Sequence, residues 1–116
     1  MQEDLEYLKG QLSGELFWDT THKTIYATDA SVYKEEPLAV SFPRSKEDLK
    51  ALIRFAGLKN TSLIPRTAGT SLAGQVVGNG IIVDFSRYLN RILDFNQEEK
   101  AIWVEPGVVL DELKIF

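Results

Sequence analysis

Apolar side chains recur along this chain with two periods, and the changes of period mark out its elements. Leu5, Leu8 and Leu12 fall on one helical face, which predicts a short helix over residues 2–12 packed on a core. Leu16-Phe17-Trp18 forms an apolar patch ahead of the polar stretch Asp19 to Thr24. Leu38 to Phe42 is a short β-prone run closed by Pro43. Leu49, Leu52, Ile53 and Ala56 return to helical spacing and predict a helix over about 46–56 with those residues on its buried face. Ser45 offers an N-cap, Ser45-Lys46-Glu47-Asp48 is a variant of the capping box, and Gly57 suits the helix end. Ser62 to Pro65 and Gly80 to Phe85 read as strands, the second holding the continuous apolar run expected of a buried strand. Residues 91–95 and 101–104 flank the polar turn Asn96 to Lys100 as a hairpin. Pro106-Gly107 breaks the chain, and residues 108–116 begin another helix.

Strand, helix, strand in that order implies a parallel pair joined by a right-handed crossover. The expected fold is therefore α/β of the α+β kind: a small sheet with a parallel βαβ pair (38–42 and 62–65), a neighbouring strand at 80–85 and a hairpin, flanked by helices.

Composition narrows the function. The 116 residues suffice for one domain that buries roughly two thirds of its unfolded surface. A net charge of −4 argues against a nucleic-acid partner. The absence of cysteine excludes disulfides, thiolate metal sites and a Cys nucleophile, and the single histidine, His22, excludes a multi-histidine metal site. His22 is given no role. No apolar run approaches the ~18 residues of a membrane span, and the acidic start is not expected to act as a secretory signal. The default expectation is the cytoplasm.

The candidate chemistry lies in Pro65 to Gln75, which follows the apolar pair Leu63-Ile64. Every side chain from Thr67 to Ser71 is small, so the main-chain N–H groups of such a turn stay open to a bulky anion. Thr70 and Ser71 add hydroxyl donors and Arg66 a positive charge at the entrance. The segment looks like a diphosphate cradle, though it is neither a P-loop nor a Rossmann fingerprint. It starts where a parallel strand ends, the position at which open α/β sheets bind ligands. Arg66 has two readings, a phosphate ligand or a surface cation pairing with Asp84 or Glu105. Trp18 and Trp103 read as core or shielding aromatics.

The run Arg66-Thr67-Ala68-Gly69-Thr70-Ser71-Leu72-Ala73-Gly74-Gln75 resembles the pyrophosphate loop of FAD-linked oxidases with the vanillyl-alcohol-oxidase (PCMH) type of FAD-binding domain. Within that group it looks most like the glycolate oxidase and D-lactate dehydrogenase branch. Residues 29–33 (Asp-Ala-Ser-Val-Tyr), 37–43 (Pro-Leu-Ala-Val-Ser-Phe-Pro) and 104–108 (Val-Glu-Pro-Gly-Val) fit the same branch in the same order, so the resemblance covers about residues 24–113. It implies that Arg66, Thr67, Ala68, Gly69, Thr70, Ser71, Gly74 and Gln75 bind the FAD diphosphate, with Pro43 and Gly107 near the adenosine half. Many members of the wider family carry, at the place of Thr70, a histidine bonded to the flavin. Thr70 has no imidazole, so the resemblance implies non-covalent FAD.

It further implies an oxidoreductase acting on a 2-hydroxy acid such as lactate or glycolate. Residues 1–23 would be an N-terminal helical extension and 24–116 the first half of the FAD-binding domain, lacking the substrate domain. Such a piece is expected to be inactive alone, to have no catalytic residue and no metal, and to tend to self-association. Two other classes stay open on the residues themselves: a non-catalytic nucleotide-binding module, and a partner-binding domain whose loop is empty.

Overall fold

A computed structural model describes residues 2–27, 35–67 and 79–108. Its elements run α1 (Gln2–Gln11), β1 (Glu15–Phe17), α2 (Thr20–Ile25), β2 (Ala39–Phe42), α3 (Lys46–Lys59), β3 (Leu63–Arg66), β4 (Ile81–Asp84), β5 (Ile92–Asn96) and β6 (Ala101–Val104). Strands β1 to β4 form one sheet in the order β1-β2-β4-β3, and β5-β6 form a separate antiparallel hairpin. The expected α/β class holds, with a difference in pairing. Strands β2 and β3 are parallel but do not touch. Strand β4 lies between them and runs parallel to both, Val40 and Ile64 each facing Ile82. The reason is burial: all four residues of β4 are buried, which suits a central strand, whereas β3 carries the exposed Pro65 and takes the edge. The apolar patch at Leu16 is itself a strand, pairing antiparallel with β2 at the other edge.

The period of two along the strands divides the sheet into two covered faces. On the first, Ala39, Ile81 and Val83 pack with Leu5 and Leu8 of α1, Leu52 and Phe55 of α3, and Leu16, Phe85 and Leu89. On the second, Val40, Phe42 and Ile82 pack with Phe17, Tyr26, Ile64 and Tyr88. The leucines of α1 are buried as their spacing requires.

Helix α3 departs from expectation in three ways. It passes Gly57 and ends at Lys59, because Asn60 takes the left-handed conformation (φ 53°) and donates its N–H to Ala56 O. Leu52 is fully buried and Leu49 half-buried, but Ile53 is 63% exposed, its place on the core face taken by Phe55. The capping box is half made. Ser45 Oγ accepts from the Asp48 N–H at 3.2 Å, while the Asp48 carboxylate turns to the β1 side. There it accepts from the N–H groups of Ser13 (2.8 Å), Gly14 (2.8 Å) and Arg44 (2.9 Å) and from the Ser13 hydroxyl. Gly14 must be glycine at this junction, since a Cβ would lie 2.1 Å from Phe42 O.

The polar stretch at 20–25 is a helix, capped by Asp19, whose carboxylate accepts from the N–H of His22 at 3.1 Å and bonds its Nδ1 at 2.7 Å. The His22 ring stacks on Phe17 with centroids 4.0 Å apart. The hairpin appears where its pattern predicts. It is tied at its base by Arg91 and Glu105, whose carboxylate accepts from Arg91 N–H and Nε at 2.9 Å each. Among the described residues no helix is long and apolar enough to cross a membrane.

Candidate functional site

Three parallel strands end side by side at Phe42 (β2), Asp84 (β4) and Arg66 (β3), and alternation puts all three side chains on the second face of the sheet. Arg66 and Asp84 stand opposite each other in register. Both oxygens of the buried Asp84 carboxylate are bonded. The Tyr26 hydroxyl donates to Oδ2, and the Ser86 N–H and hydroxyl donate to Oδ1 at 2.8 and 2.6 Å. Burial, and then the bond to the Asp84 carboxylate, push the Tyr26 phenol far above its ordinary range, so the ring stays a neutral donor. The Arg66 guanidinium lies over the Tyr26 ring, 4.8 Å from its centroid, and donates to the Tyr26 carbonyl at 3.5 Å.

Further cations line this end of the face. Arg87 sits 3.8 Å over the Phe42 ring and Arg44 sits 4.3 Å over Tyr88. Glu15 accepts from Tyr88 at 2.5 Å and from Arg87 at 2.9 Å, and these bonds, that of Tyr88 first, hold its carboxyl below the usual range.

Of the sequence candidates, Arg66 and Thr67 therefore stand at the carboxyl end of β3. Ala68, Gly69, Thr70, Ser71, Gly74 and Gln75 lie outside the described residues, as do the 29–33 motif and the helix expected over 109–116. Pro43 is fully buried directly after β2. Gly107 is buried where the chain leaves the hairpin and donates its N–H to Leu89 O at 2.7 Å. A Cβ there would lie 2.3 Å from Phe85 O and 2.7 Å from Leu89 O, so close packing alone requires glycine. Of the two partners weighed for Arg66, Glu105 is engaged by Arg91. Trp103 is 69% exposed, and Trp18 is partly buried against the core.

Sequence reasoning gave no role to Tyr26 or Ser86. Asp84 did carry a signal, as the one charge closing the buried run Ile81-Ile82-Val83. Tyr26 carried none, since it reaches Asp84 across 58 residues. Among the described residues no group of His, Asp and Glu could hold a metal ion.

A guanidinium and a hydroxyl residue at the carboxyl end of parallel strands, with further cations beside them, form a donor set whose chemistry fits a diphosphate. Residues 37–116 match the family model described as an FAD binding domain. The chain belongs to the FAD-binding domain family. The resemblance seen in the four motifs is borne out at that level.

The FAD-binding domain has relatives along most of its length. It is 40% identical over 116 residues to the D-2-hydroxyglutarate dehydrogenase of Pantoea ananatis, covering 97% of this chain and 11% of that protein. It is 47% identical over 93 residues to the D-2-hydroxyglutarate dehydrogenase of Escherichia coli, covering 78% and 9%. With the mitochondrial D-lactate dehydrogenase [cytochrome] of Kluyveromyces lactis it shares 30% over 102 residues, covering 84% and 18%. The chain thus spans about a tenth to a fifth of these relatives. The fold matches that of alkyldihydroxyacetonephosphate synthase with a TM-score of 0.84 at 20% identity, over 99% of this chain and 26% of that one. It also matches a variant of Physcomitrella patens BBE-like 1, with 0.77 at 19% identity over 96% and 25%.

Proposed function

We propose that this FAD-binding domain holds the cofactor of a cytoplasmic oxidoreductase that oxidises a 2-hydroxy acid. The observation that carries the proposal is the family match over residues 37–116, which includes the run from Arg66 to Gln75. The names of the relatives point to D-2-hydroxyglutarate or D-lactate as the substrate, and glycolate is of the same class. Bound flavin supplies the acceptor for the hydride of the substrate α-carbon. The chain's own part is to bind and orient. Arg66, Thr67, Ala68, Gly69, Thr70, Ser71, Gly74 and Gln75 hold the diphosphate, with Pro43 and Gly107 toward the adenosine half. No catalytic residue is assigned within these residues, and the 116-residue chain alone is expected to be inactive. Residues 1–23 are assigned as an extension and 24–116 as part of the FAD-binding domain. The exposed Leu93 and Trp103 of the hairpin favour self-association of the isolated chain.

The test is Gly69→Val in the full-length protein. A side chain at Gly69 occupies the space of the phosphate, and each lost charge-assisted hydrogen bond costs about 1.5–3 kcal/mol. FAD titration should show affinity lower by orders of magnitude with an unchanged circular dichroism spectrum. Unchanged affinity would make the loop a mere connection. Because Thr70 offers no imidazole, the flavin is held non-covalently and should leave with the supernatant on acid precipitation. Flavin fluorescence that stays in the pellet would refute that.

A further inference from the structure

We propose that Tyr26 and Asp84 form a brace that positions the Arg66 guanidinium to receive an oxyanion at the carboxyl end of the parallel strands. The identity of that oxyanion, the diphosphate of FAD, rests on the function proposed above.

The brace has three joints. Asp84 closes the central strand and is buried, 4% exposed, with Oδ1 fixed by both donors of Ser86. Its Oδ2 accepts the Tyr26 hydroxyl, which sets the ring just past the end of α2. Edge-to-face contact with Phe42, centroids 6.0 Å apart, fixes the ring's tilt. The ring and the carbonyl of Tyr26 then hold Arg66, by a stack at 4.8 Å and a hydrogen bond at 3.5 Å.

Stacking engages the flat face of a guanidinium, whereas its five donors lie in the plane. A stacked arginine therefore keeps the geometry of bidentate oxyanion recognition, and holding it in place before binding lowers the ordering cost of binding. The arrangement also deals with the like-placed charge. Asp84, which would repel an approaching anion, is buried and its oxygens are turned to Tyr26 and Ser86. Tyr26 and Asp84 are thus positioning residues, acting through Arg66.

The experiment titrates the full-length apoprotein with FAD and, separately, with riboflavin, which lacks the diphosphate, following flavin fluorescence. Tyr26→Phe keeps the ring and removes the hydroxyl. It should weaken FAD about 3- to 10-fold and leave riboflavin unchanged. Arg66→Met should weaken FAD roughly 10- to 100-fold, the value of a charge-assisted hydrogen bond, again sparing riboflavin. It should also flatten the dependence of FAD affinity on salt, and Arg66→Lys should recover part of both effects. Equal weakening of FAD and riboflavin would show that the cluster only shapes the fold, and would overturn the brace. So would unchanged FAD affinity in Arg66→Met while Gly69→Val loses FAD, an outcome that leaves the FAD function standing. If Gly69→Val also binds FAD normally, the function itself fails. A folded Tyr26→Phe that binds FAD as tightly as the native protein would also overturn the brace. If Tyr26→Phe does not fold, Ser86→Ala, which removes the hydroxyl bond to Asp84 Oδ1 and leaves the Tyr26 ring in place, repeats the test with the same expected selective loss of FAD.

Discussion

Single residues at element junctions do more here than their types suggest. Asp48 is the clearest case. Burial pushes its carboxyl up, but the N–H donors of Arg44, Ser13 and Gly14 and the Ser13 hydroxyl outweigh it and hold the group below its ordinary value. A depressed folded-state value means stability that is fully present above the ordinary aspartate value, about 3.9, and is lost as pH falls through the folded value. Asp48→Asn should therefore cost about 2–3 kcal/mol in urea unfolding at pH 7, since an amide oxygen cannot satisfy four donors. The gap to the native protein should narrow at pH 3. A gap that does not change with pH would mean that the carboxylate's charge contributes nothing. Residue identity was legible here only in part. The N-cap at Ser45 follows from local sequence, whereas the carboxylate's partners lie 34 and 35 residues away at Gly14 and Ser13 and leave no trace in the capping pattern. A still longer separation in sequence, 58 residues to Asp84, hid Tyr26 from the site, while Arg66 was visible because it opens the run of small residues that follows it.

At the scale of elements, periodicity located α1, α3 and the hairpin because these depend on neighbours within a few residues. It missed α2, whose six residues include none that is buried and whose signal is the cap at Asp19. It placed the end of α3 at Gly57, but a glycine ends a helix only where the chain turns left-handed, and here Asn60 does so. Gly57 thus lies inside the helix, exposed, with nothing within 4 Å of where a Cβ would be. Gly57→Ala should stabilise the protein by about 0.5–1 kcal/mol, through the lost freedom of the unfolded chain. Thermal unfolding followed by circular dichroism checks the sign. A lower midpoint would mean that the helix needs glycine at that turn.

The whole molecule is organised by β4. Among the described residues its neighbours β2 and β3 are joined to each other through this strand, which follows both in the chain. The sequence revealed the three strands but not their order, because apolar runs of similar length do not record which partner they meet. A chain ending at residue 79 should keep α1, β1, β2, α3 and β3 in sequence yet lose the sheet. Amides of 39–42 and of Leu63, Ile64 and Arg66 should exchange hydrogen rapidly in it, and slow exchange at both strands would contradict the central role of β4.

A strand inserted last between two earlier ones also imposes a timetable on synthesis. Asp84 follows Phe42 by 42 residues, so at about 5–20 residues per second β2 leaves the ribosome roughly 2–8 s before the neighbour that covers its inner edge. During that interval Val40 and Phe42 stand open to any passing strand. A chaperone that shields this segment early in translation should then raise the yield of folded protein.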